Sequence, residues 1–303
     1  IQYPKERHHL SNACDFILCN KCDAMDDVPT ITIEMLIKQY DVLLFDAYGV
    51  LVNSSGALPG AKELIRHLNH TGKPYYILTN DASRLPATAS ERYERNGLAI
   101  PPGHIITSGS LIAGYFERHE LSGMRCGVLG TGDSRQYVEQ AGGRIVPPGD
   151  DLDVLVVADE MGFPFLETIE AVFSAICRAE DEGRRVHLIL PNPDLIYPKG
   201  GQSFGFGAGS VAGMIEAALA LRYPHATSLC FVRLGKPEKG VFQEAFSRSQ
   251  TRNMVMIGDQ LETDIRGALS FGIHAAWIET GVTANGLQAV SADLQPTYRL
   301  ISL

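Results

Sequence analysis

The sequence predicts an α/β fold: a doubly wound parallel sheet with a second, smaller α/β domain inserted into it. From residue 31 onward, short apolar runs alternate with amphipathic segments, a pattern typical of parallel α/β proteins. The 303 residues are long for one domain and comfortable for two. A composition of 45% hydrophobic and 20% charged residues is that of an ordinary globular protein.

The first part of the chain predicts three strands and three helices, the last of them near residues 110–120. The apolar run ending in "FD" at 41–46 is the first strand. The segment 59–72 predicts a helix, because proline stands near its start and glycine past its end. A strand at 75–80, a helix within 83–97 and a short strand at 104–110 follow.

A second α/β stretch occupies the middle of the chain. Its predicted strands are 126–132, 153–159 and 185–192, and a helix at 165–183 separates the last two. The segment 198–210 holds five glycines and is predicted to be a loop or a crossing between domains rather than the interior of an element.

The chain then returns to the first type of pattern. A helix at 211–221 is followed by strand and helix patterns within 229–246 and 253–272, and by a last strand at 274–281. The core is therefore predicted to form from both ends of the chain.

The predicted division of the chain has three parts. Residues 31–84 and 205–303 form the core, and residues 85–204 form the inserted cap domain. Residues 1–30 are an N-terminal extension. This extension holds Cys14, Cys19 and Cys22, which indicate either a zinc site or a leader with incidental cysteines.

The bulk properties exclude several kinds of partner. A formal net charge of −9 without a dense basic cluster argues against nucleic acid and acidic membranes. No apolar stretch reaches the roughly 18 residues of a spanning helix, and no secretory signal is recognisable. Six cysteines are too few for a disulfide scaffold, so a reducing cytoplasm is the expected location.

Polar residues end three of the predicted core strands. Asp46 ends the first, Thr79 and Asn80 end the second, and Asp259 ends a later one. In an open parallel sheet, ligands bind outside the carboxyl ends of the strands. Any one of these residues could merely cap a turn, but together they predict a site, and its carboxylate oxygens suit Mg²⁺.

Two further residues complete the predicted site. Asp264 follows Asp259 closely and is placed to order the metal's ligand shell or to bind through water, although Glu262 could compete for that role. Lys236 lies between glycine and proline at a helix entrance, where a lysine can face a phosphate. Each residue also has an alternative explanation that involves no site. The acids could merely stabilise the N-terminus of the following helix, and Lys236 could be a solvated lysine in a loop.

The order and spacing of these motifs resemble the haloacid dehalogenase (HAD) superfamily. The matching residues are Asp46-x-Tyr48-Gly49-Val50, Thr79-Asn80, Gly235-Lys236-Pro237 and Gly258-Asp259-x3-Thr263-Asp264. A cap placed between Thr79 and Lys236, followed by the segment "NPDLIYPKGG", resembles the class IIA branch of phosphatases. The resemblance covers roughly residues 40–285 and implies a HAD-like Rossmannoid core.

The resemblance also implies roles for the site residues. Asp46 would attack phosphorus and form an aspartyl phosphate that water hydrolyses. Asp46, the backbone carbonyl of Tyr48 and Asp259 would hold Mg²⁺. Thr79 and the amide of Asn80 would hold phosphoryl oxygens, and Lys236 would neutralise the paired anions. The implied partner is a small phosphorylated metabolite, and we also consider a homodimer formed through the cap.

Tyr48 departs from the pattern of these phosphatases, which usually have a second Asp at this position as general acid and base. Tyrosine has an unperturbed pKa near 10 and is a poor substitute. Asp81 or a cap residue could replace it. The sequence therefore leaves three hypotheses: a phosphatase with weakened proton transfer, a phosphometabolite- or protein-binding protein that has lost activity, and a 2-haloacid dehalogenase. The cap position and the acid-rich "GDQLETD" argue against the last.

Overall fold

The computed structural model describes residues 28–200, 203–226, 228–279 and 294–303. Most of the N-terminal extension and its three cysteines lie outside these residues. The elements of the first half are, in chain order, β1 (Thr30–Ile31), α1 (Ile33–Gln39), β2 (Val42–Phe45), β3 (Val52–Asn53), β4 (Gly56–Ala57), α2 (Ala61–Thr71), β5 (Tyr75–Thr79), α3 (Pro86–Arg95), β6 (Ile105–Thr107), α4 (Leu111–His119), β7 (Arg125–Leu129), α5 (Gly132–Gln140) and β8 (Arg144–Ile145). The second half contains β9 (Val154–Val157), α6 (Phe165–Asp181), β10 (His187–Leu190), β11 (Ile196–Gly200), β12 (Ser203–Phe206), α7 (Ala208–Arg222), β13 (Val232–Arg233), α8 (Gly240–Ser249), β14 (Met254–Gly258), α9 (Arg266–Phe271), β15 (His274–Ile278) and β16 (Tyr298–Leu300).

The larger sheet has seven parallel strands in the order β1-β16-β15-β14-β2-β5-β6. Every residue of β2 and β14 is buried, because helices cover both faces of the sheet. Leu43 and Phe45 pack against α1, α2 and α3 on one face, whereas Val42 and Leu44 pack against α8 and α9 on the other. The predicted doubly wound parallel sheet is confirmed.

The smaller sheet has five parallel strands in the order β13-β10-β9-β7-β8. Helices α6 and α7 bury their apolar faces against one side of it, and α4 and α5 cover the other side. All four residues of β9 are buried, as expected of a central parallel strand. The cap is therefore an α/β unit with its own core.

The two sheets divide the chain at points other than residues 85 and 204. Strand β6 falls inside the predicted cap but pairs with β5 of the larger sheet, with Ile105 opposite Ile77. Helix α7 and β13 fall inside the predicted core but pack on the smaller sheet, with Val232 opposite Ile189. A short apolar run predicts a strand without indicating which sheet the strand joins, and this is why the boundaries differ.

The glycine-rich segment 198–210 is a β-hairpin followed by a helix, and the prediction of a loop is wrong here. Strands β11 and β12 pair antiparallel, and α7 begins at Ala208. Gly205 lies opposite Tyr197, and a Cβ at Gly205 would come within 2.6 Å of the Tyr197 ring. Glycine thus leaves room for an aromatic ring on the hairpin surface.

Strand β2 lies at the switch point of the larger sheet. After β2 the chain builds β5 and β6 on one side, and it later adds β14, β15 and β16 on the other. Ligands of open α/β sheets bind at such a point, beyond the carboxyl ends of the strands. Within the described residues, no helix combines the length and apolar character needed to cross a lipid bilayer.

Candidate active site

Three neighbouring strands bring the predicted strand-end residues together. Asp46 follows β2, Thr79 and Asn80 stand at the end of β5, and Asp259 follows β14. All four side chains are buried. Because β14, β2 and β5 are adjacent and parallel, these polar groups share one edge of the sheet. The edge predicted from the sequence is the one the structure forms.

Lys236 reaches this edge from the turn that precedes α8. Its side chain is only 2% exposed, and its Nζ donates to Asp46 Oδ1 and, at 2.7 Å, to Asp264 Oδ1. Burial lowers the pKa of Lys236, but the carboxylates of Asp264 and Asp46 outweigh this effect and raise it overall. The lysine therefore remains an ammonium ion between two carboxylates.

Asn80 holds the backbone of Lys236 in place. Its Oδ1 accepts from the Lys236 amide at 2.7 Å, and its Nδ2 donates to the Lys236 carbonyl at 3.1 Å. The same Nδ2 donates to Asp194 Oδ1 at 2.8 Å. An added Cβ on Gly235 would come within 2.5 Å of Asn80 Oδ1, so the glycine permits this close approach. The side chain of Asn80 thus joins the strand end, the lysine turn and the cap.

Three buried carboxyl groups form a cluster that suits a hard divalent cation. One oxygen each from Asp46, Asp259 and Asp264 lies within 4.8 Å of the others. An added Cβ on Gly49, whose φ is +102°, would lie 2.6 Å from Asp259 Oδ2. The close approach of this loop and the all-oxygen donor set therefore fit Mg²⁺, which prefers carboxylates together with water and phosphate oxygens.

Burial is also the main influence on Asp46 itself. It raises the pKa of the Asp46 carboxyl to about 7, with Lys236 opposing the shift and Asp264 adding to it. A divalent cation beside the carboxyl would favour its ionised form. Lys236, together with a divalent cation when one is bound, would thus keep Asp46 negatively charged in a buried place.

Asp264 has hydrogen-bond donors on both of its carboxylate oxygens. Oδ1 accepts from Lys236 Nζ, and Oδ2 accepts from the Gln260 amide at 3.1 Å. A Cβ on Gly258 would come within 2.3 Å of the Asp264 Cβ, which explains the glycine before Asp259. Of the two roles left open for Asp264, these contacts favour orienting Lys236 and the other ligands.

The side chain of Tyr48 reaches the cap across the pocket that it lines together with Asp46. Its hydroxyl donates to the backbone carbonyl of Pro198 in β11 at 2.9 Å. Its main chain forms an isolated bridge with Val52, which keeps the turn after Asp46 short. The hydroxyl hydrogen is thus already used in a contact with the hairpin.

Asp81, a suggested replacement for the second Asp, is also engaged. Its Oδ1 accepts from the amide and hydroxyl of Ser83 at 2.8 and 2.6 Å. Its Oδ2 accepts from Arg84 at 2.8 Å. Asp81 therefore organises the loop after β5 through both of its carboxylate oxygens.

The edge of the larger sheet opens into a pocket of about 370 Å³ between core and cap. Its floor includes Asp46, Thr79 and Lys236. The cap wall is formed by Asp159, Glu160, Met161, Ile196, Tyr197, Pro198 and Lys199, and Arg84 and Arg92 add positive charge from the core segment. A volume of this size is at the small end of ligand pockets.

Two pocket acids were not among the predicted site residues. Asp194 lies in the loop between β10 and β11 and contacts Asn80, and desolvation raises the pKa of its carboxyl. Asp159 follows β9, and burial, together with nearby Glu160, raises its pKa to about 6. Asp159 stands just beyond the end of β9, so the strand-end pattern that revealed Asp46 could have indicated it, whereas Asp194 lies within a loop and does not end a strand.

Comparison with known proteins agrees with this geometry. Residues 43–144 match the family of haloacid dehalogenase-like hydrolases, and residues 233–303 match a HAD-hydrolase-like family. The chain is 31% identical over 285 residues to chronophin of Mus musculus, covering 88% of this chain and 92% of chronophin. It is 26% identical over 264 residues to an acid sugar phosphatase of Staphylococcus haemolyticus, covering 86% and 93% of the two chains.

A solved structure shares the whole architecture. A possible sugar phosphatase of the HAD superfamily from Cytophaga hutchinsonii superimposes with a TM-score of 0.78 and 29% identity. The match covers 91% of this chain and 98% of the other. The chain therefore belongs to the HAD superfamily, as a phosphoric monoester hydrolase of its class IIA branch.

Proposed function

We propose that the protein is a Mg²⁺-dependent phosphatase that hydrolyses small phosphomonoesters through an aspartyl phosphate on Asp46. The observation that carries this proposal is the buried contact of Lys236 with Asp46 at the switch-point strand, beside the carboxyl cluster. A nucleophilic carboxylate needs such positive charge to accept an anionic phosphate next to it.

The proposed reaction has two steps. Asp46 attacks phosphorus, a bond forms between its carboxylate oxygen and phosphorus, and the bond to the leaving oxygen breaks. Water then attacks phosphorus in the aspartyl phosphate, which releases inorganic phosphate and restores the Asp46 carboxylate. Two proton transfers accompany these steps, one to the leaving oxygen and one from the attacking water.

The other residues bind and orient the phosphate. Thr79 and the Asn80 amide would hold phosphoryl oxygens, and Lys236 would balance the charge of the carboxylate and phosphate. Mg²⁺ would be held by Asp46, Asp259 and the Tyr48 carbonyl, with Asp264 supporting the site, and when bound it would stabilise negative charge on the phosphate. Positioning and charge stabilisation thus carry most of the transfer.

The proton transfers are the unusual part of this proposal. The Tyr48 hydroxyl donates to Pro198 O, and Asp81 is engaged with Ser83 and Arg84. We therefore expect a preference for leaving groups that depart without protonation, such as nitrophenolate. The same observation supports the second candidate, a phosphometabolite-binding protein with little turnover. Dehalogenation is disfavoured because three clustered carboxyl groups suit a metal that such chemistry does not need.

A small phosphorylated metabolite is the proposed substrate. Relatives are named acid sugar phosphatase, dihydroxyacetone phosphatase and chronophin. The pocket volume of about 370 Å³ suits molecules of that size rather than polymers. The exclusion of nucleic acid and membranes, the cytoplasmic location and a homodimer through the cap stay predictions.

Hydrolysis of p-nitrophenyl phosphate with and without Mg²⁺ tests the proposal, using the wild type, Asp46→Asn and Tyr48→Asp. We expect metal-dependent turnover that Asp46→Asn abolishes. We also expect Tyr48→Asp to raise kcat for alkyl phosphates more than for p-nitrophenyl phosphate. No turnover over a broad panel of phosphate esters, with Mg²⁺-dependent ligand binding intact, would instead favour the binding protein. Chloride release from a 2-chloro acid without metal would favour the hypothesis of a 2-haloacid dehalogenase.

A further inference from the structure

We infer that Tyr48 is a positioning residue that fastens the hairpin of β11 and β12 over the active site. The observation is the hydrogen bond from its hydroxyl to Pro198 O at 2.9 Å, which links the loop after β2 to the cap. The inference deepens the proposed function and rests on it for its kinetic test only.

The core side of this contact is held firmly. Tyr48 is half-buried and packs against the apolar cluster beneath the larger sheet. Leu51 and Val52 both donate backbone hydrogen bonds to Ala47 O at 3.0 Å, and Gly49 donates to Val52 O at 2.8 Å. Because this turn is cross-linked by its own backbone, the phenol projects from a fixed base toward the cap.

The cap side of the contact belongs to the pocket wall. Pro198 lies in β11 between Tyr197 and Lys199, and all three line the pocket. Burial, together with the nearby carboxylate of Glu160, raises the pKa of the Tyr197 phenol. A bond at Pro198 O therefore sets the distance between the carboxyl cluster and the side chains that face the substrate.

The chemistry of the substitution explains why tyrosine stands here. A carbonyl oxygen can only accept a hydrogen bond, so its partner must be a donor. An ionised aspartate at position 48 has no hydrogen to give and carries a shorter side chain. Tyr48 thus exchanges a proton-transfer group for a hydrogen-bond donor that reaches the cap.

Tyr48→Phe removes this donor while keeping the ring. One neutral hydrogen bond changes an equilibrium by about threefold to tenfold. We expect hydrogen exchange at the backbone amides of β11 and β12 to quicken by roughly that factor, while exchange in β2 and β14 stays unchanged. We expect this hydrogen bond to help the binding of substrate and transition state equally. Its loss should therefore raise KM by the same factor and change kcat by no more than about twofold.

Tyr223→Phe is the matched control. The Tyr223 hydroxyl has the Cys177 carbonyl at 3.0 Å and an Asp181 carboxylate oxygen at 2.8 Å as its acceptors, and all three residues belong to the cap. This variant should leave hairpin exchange and KM unchanged.

The two proposals fail in distinguishable ways. If hydrogen exchange at the hairpin amides of the Tyr48→Phe variant proceeds at the wild-type rate, the positioning role is wrong, whatever the activity. If the wild type hydrolyses no phosphate ester but the hairpin amides still respond to Tyr48→Phe, the positioning role stands and the phosphatase proposal fails. A fall in kcat of more than tenfold with unchanged KM and unchanged exchange would assign Tyr48 to the chemistry instead.

Discussion

Lys236 and Asp46 form a buried ion pair, although 190 positions separate them in the chain. The lysine comes from the turn after a cap strand, and the aspartate follows β2, the strand at the switch point of the larger sheet. Asp264 accepts from the same ammonium group at 2.7 Å. One cation thus holds two carboxyl groups in place at the point where the two halves of the core meet.

Replacing this cation should harm both stability and activity. In Lys236→Met, two carboxyl groups remain buried without their shared partner, and such a loss typically lowers the free energy of unfolding by about 3–5 kcal/mol. Loss of a positioned charge next to the phosphate should lower kcat by about 10²–10³-fold. Urea unfolding and p-nitrophenyl phosphate kinetics measure the two effects.

The control for this lysine is Lys239→Met, three positions further on and exposed. It should change the free energy of unfolding by no more than about 0.5 kcal/mol. Equal effects of the two substitutions would contradict the role given to Lys236.

The contact between Asn80 and Asp194 predicts a rescue. Asn80→Asp replaces the Nδ2 donor by a carboxylate oxygen, 2.8 Å from Asp194 Oδ1 and 3.1 Å from the Lys236 carbonyl. We expect a loss of about 2–4 kcal/mol in the free energy of unfolding, because a buried carboxylate then faces two hydrogen-bond acceptors. Adding Asp194→Asn restores one donor and should recover at least about 1 kcal/mol. Strictly additive effects of the two substitutions would show that the contact carries no coupling.

The glycine at position 49 offers a test of the metal site that separates strain from contact. Gly49→Ala and Gly56→Ala both place alanine at positive φ, +102° and +123°. Each should cost roughly 1–2 kcal/mol in the free energy of unfolding. Only the Gly49 substitution places a Cβ within 2.6 Å of Asp259 Oδ2, whereas the nearest atom at Gly56 is 3.8 Å away.

Titration calorimetry with Mg²⁺ should therefore distinguish the two alanine variants. We expect Gly49→Ala to weaken Mg²⁺ binding at least about tenfold, because it displaces a carboxyl group of the cluster. Gly56→Ala should bind Mg²⁺ as the wild type does. Wild-type affinity in Gly49→Ala would argue against Asp259 as a ligand.

We expect the Asp159 carboxyl to lower the stability of the wild type as the pH rises and the group ionises. Its pKa is raised to about 6, mainly by burial, with Glu160 and Asp81 adding to the shift and Ser83 opposing it. The carboxyl of Asp159 also interacts electrostatically with the side chains of Arg84 and Tyr197. A raised pKa in the folded state favours the protonated acid, so the stability it contributes is present below about pH 4 and is lost as pH rises toward 6.

Asp159→Asn removes that loss. The variant should exceed the wild type by about 1–3 kcal/mol in free energy of unfolding at pH 7, and the difference should shrink below pH 4. Asp153→Asn is a control of opposite sign, because hydrogen bonds from Arg125 lower the pKa of Asp153. The Asp153→Asn variant should have a lower free energy of unfolding than the wild type above pH 4. A constant advantage of Asp159→Asn across this pH range would contradict the raised pKa.

The central strands could be predicted from the sequence because buried parallel strands consist of short runs of apolar residues. Apolar runs before Asp46, Thr79 and Asp259 indicated strands and their polar ends together. Since parallel strands of one sheet share an edge, the cluster of Asp46, Asp259 and Asp264 followed from the same pattern.

The features that escaped prediction depend on contacts between distant segments. Nothing local assigns Val232–Arg233 to the cap sheet, because that choice depends on pairing with His187–Leu190. The glycines at 198–210 indicated a loop, yet Gly205 serves a hairpin in which the Tyr197 ring needs the space. The partner of the Tyr48 hydroxyl lies 150 positions away, so the residue type alone could not reveal it.

Phosphorylation of Asp46 tests the proposed reaction most directly. The wild type is mixed with Mg²⁺ and p-nitrophenyl phosphate, quenched in acid during turnover, and digested for peptide mass spectrometry. We expect one phosphoryl group on the peptide that contains Asp46, at a level that is easily detected because water attack lacks an aspartate at position 48. The group should be released by hydroxylamine and absent from Asp46→Asn. Turnover with no phosphoryl group on Asp46 would contradict the aspartyl-phosphate mechanism.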